Sequence, residues 1–375
     1  MRRLTYRNGP FINREDEESF ILNKLNQNRS ENILFIYGPK SSGKTTFIEY
    51  IVEEKLQKQK KKFYVNYVNF RGYAIHNYES FLNIYFKPIT EENKSFLAKM
   101  IEQFNIVLSG IKGEISIPEK GINFMLSYNL YQELENKKID PFDLFFDVLT
   151  KIKSKGKQPV LIIDEVQELS DIYMNGDIKN RYLLTEFFKF LIRLTKETHL
   201  AHIIVLTSSS IFIDEIYNNS KLAQTSKFYL FDHFNYETTK EWLKTENFAN
   251  EEIDLIWEYF GGCPFDIITL ISNRKNFGEK FCLREYLIKE ANTIAGKIDM
   301  TVGEYGTMEE KDYFEKLLKI IIDKGFAKKE PKNNLQKNVL KLAIEKDILF
   351  IKADTRKIIF NSHIMKKGAE VFLDI

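Results

Sequence analysis

The stretch Gly38-Pro39-Lys40-Ser41-Ser42-Gly43-Lys44-Thr45-Thr46 constrains the fold of this chain more than any other. The apolar run Ile33-Leu34-Phe35-Ile36-Tyr37 precedes it, and Phe47, Ile48, Ile51 and Val52 follow at helical spacing. A strand, a glycine-bracketed loop and a helix start therefore arrive in that order. Glycine lets the backbone curl so that successive N–H groups turn inward, and with the helix N-terminus they form a nest for an anion. Gly38-x-x-x-x-Gly43-Lys44-Thr45 is the P-loop pattern, with Lys44 as a mobile cation for β- and γ-phosphates and Thr45 as a hydroxyl for Mg²⁺. The nine residues from Gly38 to Thr46 are the expected contacts of ATP.

Hydrolysis needs a second half of the site, and "PVLIIDEVQEL" at 159–169 offers one. The β-branched run Val160–Ile163 delivers Asp164 and Glu165 to a strand's C-terminal end, the edge where open α/β sheets bind ligands. Asp164 is expected to order the Mg²⁺ shell and Glu165 to polarise a water for attack on the γ-phosphate. A third apolar run, "HIIVLTSS" at 202–209, ends in hydroxyls. Thr207, with Ser208 as alternate, could reach the γ-phosphate or the attacking water; equally, Ser208 to Ser210 precede a helix-like stretch and could cap it.

Composition narrows the function classes. At 375 residues the chain has length for two or three domains. A net charge of +2 gives no global electrostatic case for nucleic acid. The sequence has no apolar run long enough to span a membrane and no apolar core in "MRRLTYRNGP", so the expectation is a cytoplasmic protein without a membrane partner. Cys263 and Cys282 have no CxxC spacing, which argues against a disulfide framework or a zinc site. His199 and His202 lack further ligands and read as ordinary.

Patterning places helices at about 16–28, 79–105, 141–155 and 180–197, with strands at 63–70, 160–163, 202–207 and 227–234. The lysines at 58–62 read as a solvated helix end, and 111–124 as a glycine-punctuated hairpin or irregular insertion. Strands alternating with helices mean an α/β class with a mostly parallel sheet covered on both faces. After 236 the strands stop: helices follow, then the apolar hairpin "ILFIKADTRKIIFNS" at 348–362 suggests a winged helix. The expected domains are a P-loop core at 1–235, an all-α lid at 236–300 and a winged-helix-like domain at 301–375.

Taken together, "FINREDE" at 11–17, "GPKSSGKT", "LIIDEVQEL", "IIVLTSSS" and "GGCP" at 261–264 resemble an archaeal-type member of the AAA+/STAND branch of P-loop ATPases, over roughly the whole chain. The resemblance implies an ASCE-type parallel sheet with the Thr207 strand between those of Gly38 and Asp164. It also implies that Phe11, Ile12 and Arg14 lie against the adenine and that Pro264 closes over the nucleotide from the lid. Read from the residues alone, Arg14 could simply open a charged helix, and Gly261–Pro264 could be a helix stop.

Where ring-forming relatives carry a Ser-Arg pair before the last core strand, this chain has Ser226-Lys227. A lysine lacks the planar fork that spreads over a transferring phosphoryl group, and an arginine finger is worth about 10³ to 10⁵ in rate, so slow ATP turnover is the expectation. Arg193 could compensate, although such a helix arginine is usually a surface residue. His363, after the wing, resembles a histidine that touches bound diphosphate in switch-type relatives, or is an ordinary capping residue. The function expected is a nucleotide-gated ATPase switch acting on a protein partner. The alternative is an initiator-like ATPase that binds DNA through its winged helix, where Lys337 and Lys341 share a helix face with no arginine to read bases.

Overall fold

The computed structural model describes residues 3–7, 9–82, 84–85, 140–172, 182–218 and 220–375. Most of the helix expected at 79–105 and the whole hairpin-like insertion at 111–124 lie outside the described residues. In chain order the elements are β1 (Arg3–Tyr6), β2 (Gly9–Ile12), α1 (Glu15–Leu25), β3 (Ile33–Tyr37), α2 (Lys44–Tyr50), β4 (Phe63–Asn69), α3 (Pro141–Ser154) and β5 (Gln158–Asp164). They continue with α4 (Leu183–Ile192), β6 (His202–Thr207), α5 (Ser210–Asn218), β7 (Ser226–Leu230), α6 (Tyr236–Thr245), α7 (Asn250–Phe260), α8 (Pro264–Phe277) and α9 (Leu283–Glu304). The chain closes with α10 (Met308–Lys324), β8 (Ala327–Lys328), α11 (Asn334–Glu345), β9 (Leu349–Lys352), β10 (Lys357–Phe360) and α12 (His363–Phe372).

Five strands form one sheet in the order β4-β5-β6-β3-β7, so β6 is inserted between β3 and β5 as the resemblance implied. The pairs β4·β5 and β5·β6 are parallel. Val160–Ile163 in β5 and Ile203–Leu206 in β6 are at most 1% exposed, which is why both strands read as unbroken apolar runs rather than alternating ones.

The described chain divides into two compact units: Leu25–Leu34 with Val52–Leu206, and Met1–Lys24 with Phe35–Ile51 and Thr207–Ile375. In the first, α3 starts where Asp140 accepts from Phe142 N at 2.7 Å with Pro141 at the first turn, the start signal the sequence displays. Its buried stripe of Phe142, Phe145, Val148, Leu149 and Ile152 meets the aromatic cluster of Phe81, Tyr85, Phe187 and Phe190.

In the second unit, β1 and β2 form an antiparallel hairpin that the sequence reading did not anticipate. Ile12, at the end of β2, packs into a cluster with Trp242, Leu243, Ile253, Phe260, Ile267 and Leu287 from the helices after β7. A separate core gathers Ile298, Phe314, Leu318, Val339, Ile344, Ile351 and Ile358. Its sheet has the order β8-β10-β9; the hairpin expected at 348–362 is present, joined by the unforeseen short β8. Two residues are too few for a periodicity signal. Among the described residues no helix is long and apolar enough to cross a membrane.

Candidate nucleotide site

The loop after β3 is shaped by close approach. Phe231 N donates to Tyr37 O at 2.7 Å, and a Cβ at Gly38 would stand 2.1 Å from Phe231 O, so only glycine fits there. Ser41 and Gly43 have φ of 63° and 92°, left-handed conformations that curl the backbone ahead of α2. Gly43 is the N-cap of α2 and brings no side-chain cap, so no capping side chain competes with an anion for the first-turn N–H groups. Lys44 is buried, with Nζ donating to Gly38 O and Pro39 O at 2.9 Å and to Ser42 Oγ at 3.3 Å.

Three further segments of the same unit close around this loop. Arg14 is sandwiched between the rings of Phe231 and Phe234, 4.1 and 4.3 Å from their centroids. It donates to Ser42 O and Asp232 O at 3.1 Å and to Glu17 at 2.7 Å. Phe11 stacks on Tyr50 at 4.2 Å, so both residues and Ile12 have protein partners of their own. In the Gly261–Pro264 element, Phe234 N donates to Gly262 O at 3.0 Å, and a Cβ on Gly262 would meet Phe234 O at 1.9 Å. Cys263 Sγ reaches Ser41 O at 4.0 Å, and Pro264 opens α8. Burial raises the Asp266 carboxyl to about 6, with Glu290 adding repulsion.

The third segment is C-terminal. Lys40 N donates to Asn361 Oδ1 at 3.4 Å, and Lys40 Nζ pairs with Asp347 at 2.7 Å. His233 Nε2 donates to Lys40 O at 3.2 Å, and Lys352 pairs with Asp232 at 3.2 Å. Burial lowers the His233 imidazole to about 4, helped by the charges of Lys44 and His363 and opposed by the Lys40 carbonyl and Asp232. His363 begins α12, donates from Nδ1 to Trp257 O at 3.0 Å and fills the space beside Gly261.

The acidic pair belongs to the other unit. Asp164 ends β5 at 2% exposure, in register with Asn69 of β4 and Leu206 of β6. Glu165, 3% exposed, has a left-handed φ of 58° and donates its N–H to Leu206 O at 3.0 Å. Arg71 Nη2 donates to one oxygen of its carboxylate and Gln167 Nε2 to the other. Arg71 sits in the short 3₁₀ turn after β4, where Asn69 Oδ1 accepts its N–H at 3.0 Å.

Thr207 is fully buried at the end of β6; its Oγ1 accepts from Ser209 N at 3.0 Å, and Ser209 Oγ accepts from Phe212 N at 3.2 Å. The capping alternative thus has a direct counterpart in Ser209. Arg193 pairs with Asp143 at 2.5 Å and covers Phe146, while Ser226 and Lys227 lie within β7. Arg71, Gln167, Asp347 and Asn361 were not singled out from the sequence. Arg71 stands 94 positions from Glu165 and Lys40 stands 307 from Asp347, with no motif to mark either pairing.

Thr45 in one unit offers a hydroxyl and Asp164 in the other a carboxylate, each an oxygen of the class that suits a hard cation such as Mg²⁺. Among the described residues no cluster of three or more His, Cys, Asp or Glu could hold a metal unaided.

Residues 11–270 match the family described as an ATPase domain predominantly from Archaea. An ATP-binding protein of Methanocaldococcus jannaschii is 36% identical over 358 residues, covering 90% of this chain and 93% of its own. Another, from Pyrococcus abyssi, is 35% identical over 274 residues, covering 72% and 76%. Among solved structures, the Aeropyrum pernix ORC2 protein in its ADPNP–ADP complexes aligns with 100% of this chain and 96% of its own, at 12% identity and a TM-score of 0.47.

Proposed function

This chain belongs to the family of ATPase domains found predominantly in Archaea, and from that premise we propose that it is a slow, nucleotide-gated switch acting on a protein partner. ATP places its phosphates in the Gly38–Thr46 loop, where Lys44 turns from the loop carbonyls to the β- and γ-phosphates. Thr45 and Asp164 would hold Mg²⁺, which would supply neutralisation of the phosphate charge. Glu165 is the base toward water, Thr207 reads the γ-phosphate, Arg14 braces the loop on the adenine side, and Pro264 closes the lid. The working division is a core at 1–235, a lid at 236–300 and a winged-helix-like domain at 301–375.

The observation that carries slow turnover is the clamp on Glu165. Both carboxylate oxygens accept hydrogen bonds, one from a guanidinium, so the group meets a water only with its remaining lone pairs and in the orientation that Arg71 and Gln167 fix. Arg193 is engaged by Asp143, and position 227 is a lysine, so neither is poised as an arginine finger. Gating is supported by Lys40: the residue that lies in the phosphate loop also ties to Asn361 and Asp347 near the chain's C-terminus.

The test is ATP turnover and nucleotide retention for the wild type and two variants. Glu165→Gln is expected to keep ATP binding while turnover falls about 10² to 10⁴-fold, the range of a lost general base. Arg71→Ala is expected to raise the resting rate. Unchanged turnover in Glu165→Gln would remove Glu165 from the chemistry, and a fast wild-type steady state would remove the switch.

A further inference from the structure

Two lysine runs stand far apart in the sequence: Lys58, Lys60, Lys61 and Lys62 precede β4, and Lys151, Lys153, Lys155 and Lys157 precede β5. Each alone is an ordinary solvated helix end. The parallel register Phe63↔Gln158, with Gln158 N donating to Lys62 O at 2.8 Å, brings the ends of the two runs side by side. Between them and the turn after α1 lies a cavity of about 350 Å³. Lys62, Lys153 and Lys157 line it together with the amides of Asn26, Asn28 and Gln158, and no lining residue is acidic. Lys62 Nζ is oriented by Asn26 Oδ1 at 2.6 Å. Burial lowers the Lys153 ammonium, and no carboxylate offsets it.

Gathered like charges repel one another, and an anion in the cavity would relieve that repulsion. Ammonium and amide N–H groups are the donors that contact phosphate oxygens. Lys58 is paired with Glu54 at 2.5 Å, but the exposed Lys60 and Lys61 on one run and Lys155 on the other continue beyond the cavity, which suits a chain of phosphates rather than a single one. A protein partner is disfavoured because the apolar lining side chains, Leu25 and Phe63, are only 1% and 4% exposed and leave no anchor to bury. The lining also holds no arginine to read a base edge.

We propose that the sheet edge where β4 and β5 begin, with its carboxylate-free lysine cavity, binds the phosphodiester backbone of nucleic acid without regard to sequence. Six residue-to-residue steps along β5 lead from Gln158 to Asp164, so the two ends of that strand lie about 20 Å apart. The site is therefore distinct from the hydrolytic chemistry and does not depend on the ATPase reading.

Fluorescence anisotropy of the full chain with a labelled random-sequence 20-mer, titrated in salt, tests this. The triple variant Lys60→Gln, Lys61→Gln, Lys155→Gln changes only exposed side chains. It is expected to weaken binding about tenfold or more and to flatten the log–log salt slope by about two to three, one phosphate contact per lysine lost. A second variant, Lys62→Gln with Lys157→Gln, probes the cavity itself, with thermal melting to verify the fold. ATP binding is expected to be unaffected in both. Wild-type affinity in both variants would overturn the proposal. So would loss of binding in Lys337→Gln with Lys341→Gln instead, stronger competition by polyglutamate than by unlabelled DNA, or binding of pyrophosphate without binding of DNA.

Discussion

His233 shows how one side chain can report on the phosphate loop. It donates to the Lys40 carbonyl, and burial beside Lys44 and His363 lowers its imidazole from 6.5 to about 4, with Asp232 opposing. Unfolding restores the ordinary value, so the unfolded chain binds a proton between those two values that the folded chain refuses. The stability held above pH 6.5 is therefore lost as pH falls toward 4, by at most about 3 kcal/mol. Melting curves at pH 7.5 and 4.5 should show a smaller acid-induced drop for His233→Gln than for the wild type. The motif residues themselves were legible from the sequence: Gly38, Gly43 and Lys44 announce their backbone and charge requirements by type and spacing. His233 carries no such mark, because its environment is assembled by Lys40, Lys44, Asp232 and His363, and only the first two of these belong to a motif.

At the level of elements, periodicity located β3, β5, β6 and α3 to within a few residues because each buries a long apolar run or stripe. β7 was expected to reach 234 but ends at Leu230, where Phe231 and Phe234 turn to clasp Arg14 and their apolar character serves the sandwich instead of the sheet. Helix-to-helix distance was also invisible. A Cβ on Gly368 of α12 would fall 2.3 Å from Ile294 Cγ2 and 3.1 Å from Ala295 N, so α9 and α12 meet at a contact that requires the missing side chain. Gly368→Ala is expected to destabilise the chain by about 1–3 kcal/mol through overpacking, despite alanine's better helix propensity. Urea unfolding measures the sign, and a stabilised variant would refute the packing argument.

For the whole molecule, the P-loop segment is the place where ligand and fold are linked. The loop is held by Phe231, Arg14, Cys263 and Asn361, so a nucleotide bound there stabilises contacts drawn from much of one unit. Saturation with ATP at 100 times its dissociation constant should add about 2.7 kcal/mol of stability, read as a rise in melting temperature. Lys44→Ala should abolish that rise. The sequence alone determined where the glycine loop and the acidic strand end fall and the α/β class, because strand–loop–helix order and buried strands are local patterns written in neighbouring residues. Tertiary structure alone decided which distant side chains serve them: Arg71 on Glu165, Asp347 and Asn361 on Lys40, and two lysine runs set edge to edge. Those pairings follow from strand register and helix packing, in which every contact depends on chain segments whose separation no local pattern encodes.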